Sequence, residues 1–306
     1  MSDRFPTEIW TQIFHMACLD GDNTACAISE VSHYLRAIIL PFQLDNVALV
    51  GPTKLVLFSE LLHKREAEPA IRRVRHLFLS RGSNIPTVSK AAYDAALGHI
   101  LRTTAPDLIT LTSTLHQMGL GPESVLCIPF PKLEELTIHA HFLTPSLPPS
   151  GVRLQPSFPA LTHLHILSSC ENGYLYTSRA PALTHLRFSA VVKLTLVMYQ
   201  SICSFLLADG RYGQPIPLPG SLELGPNVQK IFIQTDMAFS SFWRTHEHVR
   251  YGPLMHSLMD MNDNEKLVVF DAPVQSGRVG LLHMGNERKH WAERIVGGPG
   301  CWVDEL

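Results

Sequence analysis

Histidine, glutamate, arginine and lysine side chains recur at two fixed positions of a short phrase that the sequence repeats seven times. The phrase has the form apolar-x-x-apolar-x-apolar. Its copies are RVRHLFL (73–79), DLITLTS (107–113), KLEELTI (132–138), ALTHLHI (160–166), ALTHLRF (182–188), NVQKIFI (227–233) and KLVVFDA (266–272). If each copy is a β-strand, its third and fifth positions point to the face opposite the apolar side chains. The polar groups would then form two outward-facing columns across a sheet.

We predict that these columns form a partner-binding face. The residues that we assign to it are His76, Phe78, Glu135, His163, His165, His185, Arg187, Lys230 and Phe232. Neighbouring parallel strands lie about 4.8 Å apart, so the glutamate and the nearby histidines would lie close together. Imidazole and carboxylate groups suit zinc, which makes a zinc-dependent hydrolase one alternative. A zinc site also needs supporting geometry, so we assign no metal and no cofactor and favour protein recognition over a merely solvated surface.

Proline marks the entry to five of the seven phrases. It stands two residues before the first apolar position, at Pro106, Pro131, Pro159, Pro181 and Pro226. Proline there stops a helix from continuing into the phrase and favours an extended entry. Helical spacing of apolar residues occurs between phrases, at 88–102 and 196–208. Alternation of strand and helix predicts a parallel sheet.

The phrase resembles the L-x-x-L-x-L strand of leucine-rich repeats, although its intervals are irregular and the usual Asn is absent. We therefore predict an α/β fold in which a short helical unit precedes an irregular leucine-rich-repeat-like solenoid with a parallel sheet. Stacking would give the repeats a continuous core that no single repeat can form. The segment 286–302 is the predicted C-terminal cap, with a helix ending near Gly297 and Gly298. An ordinary α/β domain is the alternative.

The opening segment RFPTEIWTQIFHMA, residues 4–17, predicts a helix with a wide apolar stripe. Pro6 fits a first helical turn, while Ile9 and Ile13 form one i, i+4 row and Trp10 and Phe14 form another. A second helix is predicted over 26–40. A unit this small has little capacity to bury both rows. The stripe therefore either packs against the rest of the chain or binds a helix of another protein.

The same segments resemble a known family. The order F-P-T-E-I-W-x-x-I-F, then A-I-S-E-V-S-H-Y-L-R and PFQLDNVALVG, resembles the F-box, particularly that of fungal F-box-like proteins. The resemblance covers residues 5 to about 50. It implies docking on a Skp-type adaptor of a cullin-RING ubiquitin ligase. The residues that it implies for docking are Phe5, Pro6, Ile9, Trp10, Ile13, Phe14, Val31 and Tyr34.

These inferences divide the chain into three parts. Residues 1–50 form an F-box-like helical domain, 51–71 a helical linker, and 72–306 a substrate-recognition region. The predicted function is that of a non-enzymatic adaptor that links an unidentified target protein to ubiquitin-transfer machinery. Tethering would raise the effective concentration of the target without chemistry in this chain. A protein-interaction scaffold unconnected with ubiquitin is the alternative.

Charge and cysteine content limit the classes of binding partner and the cellular compartments that we expect for this chain. The chain has 306 residues and a formal net charge of -2, which gives no general attraction to nucleic acid or anionic membranes. Its six cysteines form no C-x-x-C pair, as expected for reduced thiols in cytoplasm or nucleus. No apolar run has the length of a membrane span, and polar residues interrupt the opening segment, so we expect neither a membrane anchor nor a secretory signal. Phosphate-loop and nucleophile-elbow motifs are also absent from the sequence.

Overall fold

The computed structural model describes residues 6–18, 22–65, 73–82, 88–115, 128–139, 157–167, 176–191, 196–207, 224–235, 256–260, 265–270 and 279–303. Eight strands form one parallel sheet, in which each strand lies beside the next one in the chain. They are β1 (Asn46–Val50), β2 (His76–Ser80), β3 (Thr110–Ser113), β4 (Glu135–His139), β5 (His163–Leu167), β6 (His185–Val191), β7 (Lys230–Thr235) and β8 (Leu267–Phe270). The predicted α/β class with a parallel sheet is confirmed.

Helices lie before, between and after the strands. Three of them precede the sheet: α1 (Thr7–Ala17), α2 (Asp22–Val31) and α3 (His33–Ile39). Within and after the sheet the chain forms α4 (Pro52–Lys64), α5 (Lys90–Thr104), α6 (Leu196–Leu207) and α7 (Val279–Ile295). Gly51, at φ +95°, turns the chain from β1 into α4, a backbone conformation that side chains with a Cβ rarely adopt. Among the helices described, none is both long and apolar enough to cross a lipid bilayer.

The repeated phrases form the core of the sheet. The fourth positions of the first six phrases pair in register from strand to strand, and each is at most 1% exposed: Leu77, Leu111, Leu136, Leu164, Leu186 and Ile231. Helices α4 and α5 contribute Leu55, Leu62, Leu97 and Leu101 to the same hydrophobic cluster. Apolar burial on this scale is the main stabilising contribution to the fold. The periodicity that predicted the strands therefore also identifies their buried face.

The same backbone hydrogen-bond pattern recurs just before successive strands begin. The carbonyl oxygen of Asp45 accepts hydrogen bonds from the N–H groups of Arg75, at 2.9 Å, and His76, at 2.8 Å. The carbonyl oxygens of Arg75, Ile109, Glu134, Thr162 and Thr184 each accept in the same way from two consecutive N–H groups at the entry to the following strand. The backbone at the entry end of β1 to β7 therefore follows one repeated pattern.

The prolines that precede the phrases lie in tight turns rather than in the extended entry that we predicted. Around Pro131, the N–H of Leu133 donates to the carbonyl of Phe130 at 3.4 Å, which closes a four-residue turn. Equivalent bonds close the turns that contain Pro159, Pro181 and Pro226. Proline suits the second position of such a turn because its φ is already fixed near the required value.

Two strands differ from the prediction: β1 was not predicted as a strand, and β8 pairs in a shifted register. Strand β1 lies within the segment that resembles the F-box, and it pairs Val47 with Leu77 at the edge of the sheet. In β8, Leu267 pairs with Ile231, whereas the phrase alignment had matched it to Val228. Four consecutive apolar residues, Leu267–Phe270, allow several registers of one short phrase, so the pattern alone did not fix the pairing.

The C-terminal segment covers one face of the sheet. Trp291 of α7 packs on Phe78 of β2, with ring centroids 5.6 Å apart, and Arg294 reaches Glu135 of β4. Beyond the helix, Trp302 contacts the rings of β5, β6 and β7. The helix ends at Ile295, close to the predicted position, and Gly297 follows at φ +84°. The predicted cap therefore lies across the polar face of the sheet instead of closing an end of the array.

Candidate functional site

Helices α1 to α3 form a small hydrophobic core of their own. Its buried members are Phe14, Cys18, Ala25, Ile38 and Ile39, with Trp10, Ile28 and Leu35 packed against them. Within α1 the rings of Trp10 and Phe14 stack with centroids 5.2 Å apart. The second apolar row of α1 is thus the row that holds the three helices together.

Hydrogen bonds fix the helical unit internally and to the sheet. Ser32 caps α3, where its hydroxyl accepts from the N–H of Leu35 at 3.2 Å. Arg36 donates from Nε to the carbonyl oxygen of Ser29 at 2.9 Å, which joins α3 to α2. Asn46, the first residue of β1, donates from Nδ2 to the carbonyl oxygen of Cys18 at 3.0 Å. The position of the unit relative to β1 is therefore defined by a buried contact.

Large apolar side chains remain exposed on this unit. We define the N-terminal apolar patch as Ile9, Ile13, Met16, Val31 and Tyr34, whose exposed fractions are 40%, 40%, 64%, 71% and 42%. Only Leu57, Met259 and Val296 are comparably exposed elsewhere in the described part of the chain. The patch therefore contains most of the exposed large apolar side chains that the structure describes, on three short helices.

The predicted docking residues divide between the surface and the core. Ile9, Ile13, Val31 and Tyr34 are exposed, as is Pro6, whereas Phe5 lies outside the described residues. Phe14 is only 5% exposed, which corrects its assignment to the docking surface. Trp10 is half-buried against it. Both belong to the row that packs inward, so a partner has little access to them.

Met16 is a patch residue that the sequence analysis did not select. It lies three residues after Ile13 and seven after Ile9, so it falls on the same face of α1. That spacing was visible in the sequence. The two apolar rows were both plausible core rows, however, and only the packing of α2 and α3 distinguishes them.

The predicted partner-binding face of the sheet is not an open surface. The fifth-position side chains Phe78, His165, Arg187 and Phe232 are each 1% exposed. Glu135, in the third-position column, is 7% exposed, and His76, His163, His185 and Lys230 are half-buried. The column register is as predicted through β7, but α7 and the segment after it cover the face. This corrects our expectation that both columns point into solvent.

Glu135 receives two contacts from the covering segment. Arg294 Nε lies 2.6 Å from its Oε2, and Trp302 Nε1 donates to its Oε1 at 3.1 Å. Trp302 also lies edge-on to the ring of His163, with centroids 4.9 Å apart. Charge-assisted hydrogen bonds of this kind are stronger than neutral ones when partly buried. The Glu135 carboxylate on β4 therefore holds both α7, through Arg294, and the segment after it, through Trp302, against the sheet.

Arg187 is the largest completely buried side chain described. It donates from Nη2 to Gln234 Oε1 at 2.9 Å, from Nε to Ser189 Oγ at 3.1 Å, and from Nη1 to the carbonyl oxygen of Cys301. Its guanidinium carbon lies 5.1 Å from the ring centroid of Phe270. Burial lowers the pKa of Arg187, while the nearby Glu287 acts in the opposite direction. The side chain links β6 and β7 to the C-terminal segment.

A thiol, an imidazole and a carboxylate meet beside Arg187. Cys301 Sγ lies 3.7 Å from His165 Nδ1, and Glu287 Oε2 lies 3.6 Å from the same nitrogen. These are the residue types of a nucleophilic triad. Cys301 is 2% exposed, however, and burial raises its pKa, so the thiol stays protonated. Because the thiol is buried and protonated, we interpret Cys301, His165 and Glu287 as a structural cluster that a substrate cannot reach.

The carboxyl of Glu287 is also perturbed. Burial raises its pKa from 4.5 to about 7, against the lowering effect of Arg187. Glu287, Trp291 and Arg294 lie at i, i+4 and i+7 of α7, so they share the face that packs on the sheet. The role of this stripe could not be predicted from the sequence, because spacing shows that a helix face exists but not which surface it covers.

The proposed zinc ligands are engaged in other contacts. His163 Nδ1 and His185 Nδ1 lie 2.9 Å from the hydroxyls of Thr162 and Thr184, and His165 Nε2 lies 2.8 Å from Ser189 Oγ. The rings of His163 and His185 stack at 4.5 Å. Burial, with the charges of His185 and Arg294, lowers the pKa of His163 to about 4. Within the described ranges no three His, Cys, Asp or Glu residues are grouped to hold a metal ion.

Comparison with models of known protein families and with curated protein sequences finds no match in either. The F-box resemblance therefore depends on the quoted residues of the opening 50 positions. The geometry adds that these residues form a helical unit with its own core and an uncovered apolar patch.

Proposed function

We propose that this protein is a non-enzymatic, F-box-type substrate-recognition adaptor of the cytoplasm or nucleus. Its N-terminal apolar patch binds a Skp-type adaptor of a cullin-RING ubiquitin ligase, and its sheet region selects a target protein. The observation that carries the proposal is the exposure of Ile9, Ile13, Met16, Val31 and Tyr34 on a unit whose own core is already formed.

The energetics favour a helical partner on this patch. Complete burial of a large aliphatic side chain contributes about 1.5–3 kcal/mol. The patch residues are about half exposed, so covering all five would contribute several kcal/mol before the entropic cost of association. Side chains at i, i+4 and i+7 of one helix, such as Ile9, Ile13 and Met16, suit packing against another helix.

The connection between the helical unit and the sheet suits a tethering role. Asn46 is a buried residue of β1 and holds the end of α1 through Cys18. A target bound to the sheet region would thus be presented at a defined distance from whatever binds the patch. The proposal leaves the covered face of the sheet unused and assigns target selection to other surfaces of this region.

The test is recovery of a purified Skp-type adaptor on the immobilised full-length chain. Ile13→Asp and Val31→Asp each place a charge in the patch at a surface position, so each variant should fold and lose at least about tenfold in affinity. Leu57→Asp is the matched control, since Leu57 is 58% exposed on α4 outside the patch. It should bind as the unsubstituted chain does.

Two outcomes contradict the proposal. One is full retention of binding by both patch variants. The other is failure of the folded, unsubstituted chain to bind the adaptor, which would favour the scaffold unconnected with ubiquitin. Circular dichroism of each variant establishes that the comparison concerns folded proteins.

A further inference from the structure

Helix α7 lies on the polar face of the sheet with few of its side chains buried. Among residues 286–296, only Glu287 and Trp291 are buried, at 4% and 6% exposed. Two glycines within α7, Gly280 and Gly285, lower its stability relative to alanine because glycine loses more backbone freedom on folding. The helix therefore depends on a small number of contacts with the sheet to stay in place.

A buried carboxyl is one of these contacts. The carboxyl of Glu287 lies beside charged or polar groups of three strands, namely Glu135 of β4, His165 of β5 and Arg187 of β6. Its Oε2 is 3.6 Å from His165 Nδ1, and Cys301 Sγ lies 3.7 Å from the same nitrogen. The carboxyl is thus enclosed between α7, the sheet and the segment after α7.

The arginines near Glu287 are hydrogen-bonded to other groups. Arg187 donates to neutral acceptors on β6, on β7 and in the segment after α7, and Arg294 pairs with Glu135 at 2.6 Å. Within the described part of the chain, none of these hydrogen bonds reaches Glu287. An ionised Glu287 would therefore be a buried charge without a close donor, which is unfavourable, whereas water solvates the same charge well.

We propose that α7 and the segment after it form a pH-sensitive cover, which closes on the sheet when Glu287 is protonated and opens when this carboxyl is ionised. Opening transfers the carboxylate to water and uncovers the polar columns of the sheet. The device goes beyond the proposed function, because docking through the N-terminal apolar patch requires no movement of α7.

The direction of the effect follows from the protonation of Glu287. Burial raises the pKa of this carboxyl from 4.5 to about 7 in the closed form, so closure takes up a proton. The contribution of Glu287 to closure is fully present below pH 4.5 and is lost as pH rises to 7. The cover therefore opens more often in neutral and mildly alkaline solution than in mildly acidic solution.

Two histidines in the same contact respond to pH in the opposite direction. Burial lowers the pKa of His163 on β5 and of His290 on α7, so both favour closure as pH rises. The test must therefore compare variants that keep both histidines and differ only at Glu287.

The test is amide hydrogen exchange of α7 in the full-length chain, measured by mass spectrometry and expressed as protection factors at about pH 5.5 and about pH 8. Opening of α7 should increase over this range by at least about tenfold more in the unsubstituted protein than in Glu287→Gln. Glutamine stays neutral and has nearly the same shape as the protonated acid. Glu287→Met, which is also neutral, provides the same comparison if the glutamine variant fails to fold.

Glu293→Gln is the matched control. Glu293 is half-buried on the same helix, and its Oε1 lies 3.9 Å from Lys289 Nζ on the helix surface. Because this carboxyl is outside the enclosed cluster, its substitution should leave the pH dependence of opening unchanged.

A substitution in the turn after α7 tests whether the cover moves as a separate unit. Gly300 has φ +58°, and a Cβ there would lie 2.7 Å from Arg294 Cγ. Gly300→Ala should therefore increase opening of α7 by at least about tenfold at both pH values while the strands stay protected. Gly225→Ala, where the new Cβ meets no atom within 4 Å, should change neither.

The proposal is overturned if a folded neutral variant at position 287 shows the same pH dependence of α7 opening as the unsubstituted protein. Loss of that dependence in Glu293→Gln would also overturn it, because the effect would not be specific to the enclosed carboxyl. Equal loss of protection in α7 and in the strands of Gly300→Ala would show that α7 does not open separately from the sheet.

Discussion

The buried carboxyl of Glu287 makes the stability of the folded chain depend on pH. Its pKa is raised by burial from 4.5 to about 7, and Arg187 and His165 lie beside it on the sheet. The folded state therefore binds a proton more tightly than the unfolded chain does. This contribution to stability is fully present below pH 4.5 and is lost as pH rises towards 7.

His163 acts in the opposite direction over part of that range. Its pKa is lowered from 6.5 to about 4, so its contribution to stability is present above pH 6.5 and is lost as pH falls towards 4. The two effects oppose each other in mildly acidic solution. A pH profile of the unsubstituted protein alone would mix them.

Glu287→Gln separates the two effects, because glutamine stays neutral at every pH. We expect the free energy of unfolding of the unsubstituted protein, relative to this variant, to fall by roughly 1–3 kcal/mol between pH 4.5 and 7. Urea unfolding at several pH values measures this difference. A difference that is constant across the range would mean that the carboxyl is not held in the environment described.

At the scale of elements, the sequence predicted the strands better than their surroundings. The fourth positions of the first six phrases, such as Leu136 and Leu164, face the core as expected, and Glu135 and His163 lie side by side. The element that covers the polar face of the sheet could not be predicted. Glu287, Trp291 and Arg294 follow helical spacing, and nothing in that spacing identifies the strands against which the helix packs. The packing of α7 on the polar columns is a tertiary contact between distant parts of the chain, and local residue spacing does not predict it.

Helix α1 shows the same limit. Its two apolar rows, Ile9 with Ile13 and Trp10 with Phe14, are equally good core rows by spacing. The choice between them depends on how α2 and α3 pack, which is a tertiary matter. The sequence could therefore predict a helix with surplus apolar surface, but not which half of that surface stays uncovered.

Deletion of residues 279–303 tests the covering role of α7. The deletion would expose Phe78, Phe232 and the unpaired charge of Arg187, each now 1% exposed. We expect a less stable protein that binds a hydrophobic dye and associates in solution, because a large apolar and charged face loses its cover. Dye fluorescence and light scattering measure this. A monomeric, equally stable truncated protein would show that the segment is dispensable to the sheet.

At the scale of the whole molecule, the described residues form two hydrophobic cores that differ in how much apolar surface beside them stays exposed. The sheet and its helices form one large cluster, closed on its polar face by the C-terminal segment. The N-terminal helices form a second, small cluster joined to β1 through Asn46 and Cys18. The polar face beside the large cluster is covered by the C-terminal segment, whereas the small cluster leaves large apolar side chains exposed.

Amide hydrogen exchange on addition of a Skp-type adaptor tests this account most directly. The account predicts slower exchange in α1 and at the junction of α2 and α3 when the adaptor is bound, with the strands and α7 unchanged. Protection that falls on the sheet region and spares α1, or no protection anywhere at a saturating adaptor concentration, would contradict the assignment of the N-terminal apolar patch as the docking surface.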